Sequence, residues 1–186
     1  MKKIKVTLLG DSIRLIGYGT KVPELLGEDF EVYQPEENCK YSVFTYRGLF
    51  DWADGIQGSD VIHWNNGLWD ACTLFSENEP FTPLEFYVDT MERIAKELLK
   101  ITPSVIFATT TPVADGHTYN KNHLIDKYNE AVIPKLVALG VQINDLHSLV
   151  LENRDEYLKD DKVHLNEIGI DAVAIQVVDS IKNALK

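Results

Sequence analysis

Cysteine is scarce in this chain: among 186 residues there are two, Cys39 and Cys72. Two cysteines without a CxxC spacing give neither a disulfide framework nor a thiolate metal site. No apolar run approaches the ~20 residues that a membrane-crossing helix requires. The opening MKKIKVTLLGDS has too short an apolar stretch, followed at once by a charged turn, to read as a secretory signal. The expectation is a cytoplasmic protein. Positive charge is also in short supply, with 18 Lys and Arg against 29 Asp and Glu, a net charge of −11. That balance excludes nucleic acid and an anionic membrane surface as partners, because both are held by basic patches. Phosphate loops of the Walker type, GxGxxG fingerprints, internal repeats and low-complexity linkers are all absent. What is present is an ordinary globular composition, 45% hydrophobic and 25% charged, long enough for one domain with a real core.

Residues 4–13, IKVTLLGDSI, organise the rest. They read as a buried strand running into a Gly-Asp-Ser turn, with Gly10 permitting a backbone conformation that a Cβ opposes. Ser12 then stands at the carboxyl end of the first strand and the start of a helix, where free N–H groups favour negative charge. Such a position suits a nucleophilic hydroxyl, a bound anion or a simple polar cap.

Further strands are expected at 30–33 (FEVY), 59–64 (SDVIHW), 104–108 (SVIFA) and 141–144 (VQIN), with helical patterns between them. A loop and short helix fill 15–26, a short helix 46–52, and a loop 68–81. Thr82-Pro83-Leu84-Glu85 reads as a capping box opening a helix whose apolar face is Leu84, Tyr87, Val88, Met91, Ile94, Ala95 and Leu98. A helix over 122–139 contains Pro134, which predicts a kink or break near 133. The last helix starts near Asn166 and shows Ile168, Ala172, Ile175, Val178 and Ile181 as its apolar face. Strands alternating with helices predict one doubly wound α/β domain over 1–186, a five-stranded parallel sheet between two helical layers.

A parallel sheet brings the residues just past its strand ends to one edge. Here these are Ser12, the loop around Asn38, Asn65-Asn66-Gly67, and the threonines at 109–111, joined by Asp161 and His164 from the loop before the last helix. A hydroxyl, amide donors and an imidazole three residues from a carboxylate make up an acyl-transfer inventory. On one tight turn Asp161 can orient His164, leaving the other ring nitrogen to take the Ser12 proton. Taken singly, each piece has a plainer reading as a cap, a turn or a surface histidine. His63, inside an apolar strand, reads as a core histidine. His117, His123 and His147 lack partners at metal-ligand spacing, so neither metal nor cofactor is expected. Trp52, Trp64 and Trp69 either line a pocket or fill the core.

These residues resemble the SGNH (GDSL-type) hydrolases. Gly10-Asp11-Ser12-Ile13 is similar to the first motif of that family, whose serine is the nucleophile. Asp161-Lys162-Val163-His164 resembles its final Asp-x-x-His. Trp64-Asn65-Asn66-Gly67 resembles its Gly-x-Asn-Asp, making Asn66 the oxyanion asparagine with Asn65 as the alternative. The resemblance implies a flavodoxin-like three-layer fold, a Ser12-His164-Asp161 triad, and an oxyanion hole from the Ser12 N–H and the Asn66 amide. Two departures stand out: Trp64 and Gly67 replace the glycine and aspartate of the third motif, and the loop after the second strand lacks the glycine of the second motif. Cys39, or next to it Lys40, is the candidate N–H there. Asp11, Asn65 and Trp69 are candidate substrate-binding residues. Similarity to the WNNGLWD variant implies a short-chain, acetyl-type ester, often on a sugar. A thioesterase, lysophospholipase or acyltransferase with the same triad, and a non-catalytic small-ligand module at the same edge, stay open.

Overall fold

The apolar runs anticipated as strands pair into a parallel sheet. In the computed structural model, which describes residues 2–76 and 79–186, the strands are β1 (Ile4–Leu9), β2 (Phe30–Tyr33), β3 (Val61–Trp64), β4 (Val105–Ala108) and β5 (Gln142–Asn144). Their order is β2-β1-β3-β4-β5, every pairing parallel, with Ile4 opposite Phe30, Val6 opposite Val61, Ile62 opposite Val105 and Ile106 opposite Gln142. The chain winds outward in both directions from β1 and β3, and sheets of this order leave a crevice beyond the carboxyl ends of those two strands. Ser12 follows β1 and Asn66 follows β3, so both stand at that crevice.

The helices are α1 (Ser12–Leu15), α2 (Val22–Leu26), α3 (Ser42–Asp51), α4 (Ala53–Ile56), α5 (Leu84–Leu99), α6 (Asn122–Ala138), α7 (Leu146–Glu152), α8 (Arg154–Tyr157) and α9 (Glu167–Asn183). Alternation along the strands divides the core in two. Val6, Leu8, Val61 and Ile106 pack against α2, α7 and α9, while Leu9, Ile62, Trp64 and Phe107 pack against α3, α5 and α6. This is the three-layer arrangement expected from the sequence. Among the described residues no helix is long and apolar enough to cross a membrane.

Several local expectations need correction. The apolar face of α9 is Ile170, Val173, Ala174, Val177, Val178 and Ile181. Ile168 and Ile175 are 55% and 54% exposed, because they lie round the helix from that stripe. Helix α5 has no side-chain cap: Pro83 occupies the cap position, and Thr82 bonds to Asp70 instead. Helix α6 is not broken at Pro134, whose ring is exposed, so the carbonyl that loses its N–H partner can be met by water. Helix α3 begins four residues before the expected 46. Helix α7 was not anticipated, although Asp145 caps it by accepting the Ser148 N–H. Positions 77 and 78 of the expected 68–81 loop lie outside the described residues.

Candidate active site

Ser12 is the first residue of α1, directly beyond β1. Asp11, not Ser12, is the cap, with its Oδ1 accepting the Ile13 N–H at 2.9 Å. The serine hydroxyl is therefore uncommitted to the helix, and it lies 2.9 Å from His164 Nε2. His164 Nδ1 lies 2.8 Å from Asp161 Oδ2. The Asp-x-x-His spacing works through a tight turn in which Asp161 Oδ1 accepts the N–H groups of Val163 (3.1 Å) and His164 (2.9 Å). Lys162 pays for that turn with φ of +71°, a conformation uncommon for residues with side chains. Backbone bonds from Lys159 to the His164 carbonyl and from Ala114 to the Lys162 carbonyl, both 2.8 Å, hold it in place.

Electrostatics assign the proton positions. Desolvation acts to raise Asp161, but the N–H groups of His164 and Val163 and the imidazole outweigh it and hold the carboxyl down at about 2. An ionised carboxylate at 2.8 Å requires Nδ1 to carry the ring proton, which leaves Nε2 as an acceptor for the Ser12 hydroxyl.

Asn65 and Asn66 have different jobs. Both polar atoms of Asn65 are committed: Nδ2 donates to Asp11 Oδ1 at 2.9 Å, and Oδ1 accepts from Tyr18 Oη at 2.7 Å. Its side chain lies so close over Gly10 that a Cβ there would come within 2.1 Å of Asn65 Oδ1. Gly10 is thus required by space, whereas the sequence reading attributed it to backbone conformation. Asn66 donates one amide hydrogen to the Lys40 carbonyl at 3.0 Å and keeps the other uncommitted. Its backbone carbonyl is pinned by Tyr87 Oη at 3.1 Å and Thr110 Oγ1 at 2.9 Å. Gly67 has φ of +146° with Thr110 Oγ1 pressed against it, so no side chain fits.

The loop after β2 brings a second correction. Cys39 gives its N–H to the Gly10 carbonyl at 3.1 Å, and its buried thiol accepts the Gly10 N–H at 3.3 Å. Cys39 cannot also serve an oxyanion. Lys40 has φ of +50°, the left-handed region that glycine favours, and its N–H meets Asn38 Oδ1 at 2.7 Å. Asp11 is 1% exposed and, with Asn65, supports the turn from beneath rather than facing a ligand. Burial raises the Asp11 carboxyl, opposed by the Ile13 N–H, the Asn65 amide and the Arg14 charge. Trp69, 39% exposed on the β3–α5 connection, is accessible to a ligand, whereas Trp64 and Trp52 belong to the core.

Sequence reasoning missed Arg14 and Tyr18 and named Tyr87 only as core and Thr110 only among the threonines past β4; all four fix the loops rather than face the reaction. Their only signal was polarity within apolar runs, as in the Arg14 of SIRLI. His63 is a core histidine: burial pushes it down to about 3, and its Nε2 meets Asn144 Nδ2 at 3.1 Å. A large groove of about 780 Å³, lined by Tyr46, Phe50, Leu98 and Ile101 among others, lies on the flank of α3 and α5 and includes none of these residues.

The five-stranded parallel sheet of order β2-β1-β3-β4-β5 between two helical layers is a fold this chain shares with solved acylhydrolase and esterase structures. Solved structures carry the comparison further. A lipase/acylhydrolase from Enterococcus faecalis superposes with a TM-score of 0.80 at 19% identity, over 96% of this chain and 95% of that one. The acetyl xylan esterase AlAXEase gives 0.80 at 21% identity, over 96% and 100%. Axe2, an acetylxylan esterase from Geobacillus stearothermophilus, gives 0.76 at 19% identity, over 97% and 96%. Two further Axe2 structures are of catalytic mutants, one of a histidine and one of an aspartate three positions before it. No protein-family model and no curated protein matches the chain.

Proposed function

We propose that this protein is a serine esterase that removes a short acyl group, acetyl in the first instance, from an alcohol such as a sugar hydroxyl. The observation that carries the reading is the unbroken chain from Ser12 Oγ through the His164 ring to Asp161, with links of 2.9 and 2.8 Å. The same aspartate-to-histidine spacing separates the two catalytic positions of Axe2, which supports it. The acetyl and sugar preference draws on the acetylxylan esterases that share the fold.

In this mechanism Ser12 Oγ attacks the ester carbon while His164 Nε2 takes its proton, and Asp161 stabilises the resulting imidazolium. The oxyanion is met by the Ser12 N–H and the free amide hydrogen of Asn66. Lys40 takes the place of the missing glycine, its N–H exchanging Asn38 for the oxyanion. Collapse expels the alcohol, which receives the proton from His164. Water then attacks the acyl-serine with His164 again as base, releasing the acid and restoring Ser12. Fixed donors of this kind are worth about 10²–10³ in turnover each.

The test is intact-mass labelling with a fluorophosphonate, followed by peptide mapping. A single adduct on Ser12, lost in His164→Ala, is the expected result, together with release of acetate from acetylated xylo-oligosaccharides. Folded protein that takes no label and cleaves no ester would return the site to a binding role.

A further inference from the structure

Arg14 is 0% exposed, yet among the described residues no carboxylate lies within ion-pair distance of it. Its charge is met by carbonyls instead. One terminal nitrogen donates to the Pro35 carbonyl at 2.8 Å and to Gln34 Oε1 at 3.2 Å, and the other donates to the Glu37 carbonyl at 2.6 Å. Nε and the second terminal nitrogen both reach the Gly10 carbonyl at 3.3 Å. The guanidinium therefore bridges the strand end that presents Ser12 and the loop that presents Lys40. A planar fork with five donors can do this, and an ammonium cannot. Burying such a charge is costly, and here the hydrogen bonds to the Gly10 carbonyl and to the loop over 34–37 offset that cost.

The far end of the same loop is held by a second buried charge. Asp70, also 0% exposed, accepts the Ser42 N–H at 2.9 and 3.1 Å and the Ser42 hydroxyl at 2.6 Å, two residues past Lys40. Between these anchors Lys40 holds φ of +50°, a conformation that a glycine would reach unaided and a lysine reaches only against its Cβ.

We infer that Arg14 is a positioning residue for the oxyanion side of the site: it holds the loop over 35–40 so that the Lys40 turn keeps its left-handed form. The inference rests on the esterase reading above. It assigns to a guanidinium the work that conformational freedom does for a glycine at this place.

The test is a double-mutant cycle of Arg14→Lys and Lys40→Gly, reading kcat, KM and Tm on p-nitrophenyl acetate. Arg14→Lys should lower kcat by about 10²-fold, as for loss of one oxyanion donor, with KM within about threefold. In the Lys40→Gly background the same Arg14 substitution should cost at least about tenfold less, because neighbours in one network couple. A fall in Tm with kcat preserved, or an equal loss in both backgrounds, overturns the proposal and leaves Arg14 structural. Should Arg14→Lys not fold, Gln34→Ala removes one acceptor of the guanidinium and should still lower kcat several-fold at constant KM, and no change in kcat counts against the inference. An inactive wild type would instead sink the esterase reading, so the two failures are told apart.

Discussion

His164 Nε2 and Ser12 Oγ meet at 2.9 Å although 152 positions separate them in the chain. One comes from the turn after β1, braced by the buried Asn65 and Arg14, and the other from the loop before α9, held by backbone bonds to Ala114 and Lys159. If these two residues act as a unit with Asp161, Ser12→Ala and His164→Ala should each lower ester hydrolysis by about 10⁴–10⁶, with little added loss in the double variant. Steady-state kinetics on one short ester checks this.

Asp161→Asn keeps the size of the side chain but removes the acceptor that sets the His164 tautomer, and should cost about 10²–10⁴ in kcat. Its folded value is depressed to about 2. Its interaction with His164 is therefore fully present above the ordinary carboxylate value near 3.8 and is lost only as pH falls towards 2. In the wild type Asp161 stays ionised above pH ~4, so an acid limb of the rate profile there reports a group other than Asp161.

Asn66→Ala and Asn65→Ala should part company. Removing the uncommitted amide of Asn66 should lower turnover by about 10²–10³ while the fold persists. Removing Asn65 leaves the Tyr18 hydroxyl and Asp11 Oδ1 short of partners, and should cost about 1–3 kcal/mol of stability. Denaturant melts beside kinetics distinguish the two.

Two buried groups give opposite pH dependences. His63, pushed down to about 3 by burial, is neutral when folded, so its contribution is present above about 6.5 and is lost as pH falls towards 3. The full shift corresponds to roughly 5 kcal/mol. Asp70, raised to about 6 by burial against its bonds to Ser42 and Thr82, contributes stability below about 3.8 that is lost as pH rises through 6, about 3 kcal/mol at most. Urea unfolding across pH 4–7 should show a shallower acid loss in His63→Gln than in the wild type, and a steeper one in Asp70→Asn.

On α9, Ile170→Ala should cost about 2–5 kcal/mol, whereas Ile175→Ala, on the exposed face, should stay within about 0.5 kcal/mol. Pro134→Ala restores an N–H inside α6 and should stabilise by about 1–2 kcal/mol, less than the intrinsic helix penalty of proline because the substitution also loosens the unfolded chain.

Strand identity, the parallel doubly wound sheet and the convergence of Ser12, His164 and Asp161 were readable from sequence because each leaves a local trace: a short β-branched or apolar run, a Gly-Asp-Ser turn, an Asp-x-x-His spacing. Helix α5 was equally legible, since its stripe from Tyr87 to Leu98 repeats at helical spacing over about three turns. Other features depended on partners far away in the chain. Whether Gly10 serves conformation or space turns on Asn65, which reaches it only when β1 and β3 pair. Whether Cys39 can donate turns on the Gly10 carbonyl, and whether Ile175 is buried turns on which face of α9 meets the sheet. Arg14 is the sharpest case: nothing local foretells that a charged side chain will be buried, because its compensation comes from carbonyls on a loop some twenty residues onward. Local propensity and periodicity determine the elements and the chemical types at their ends; the sheet decides which of those ends meet and whether each N–H is free or already spent.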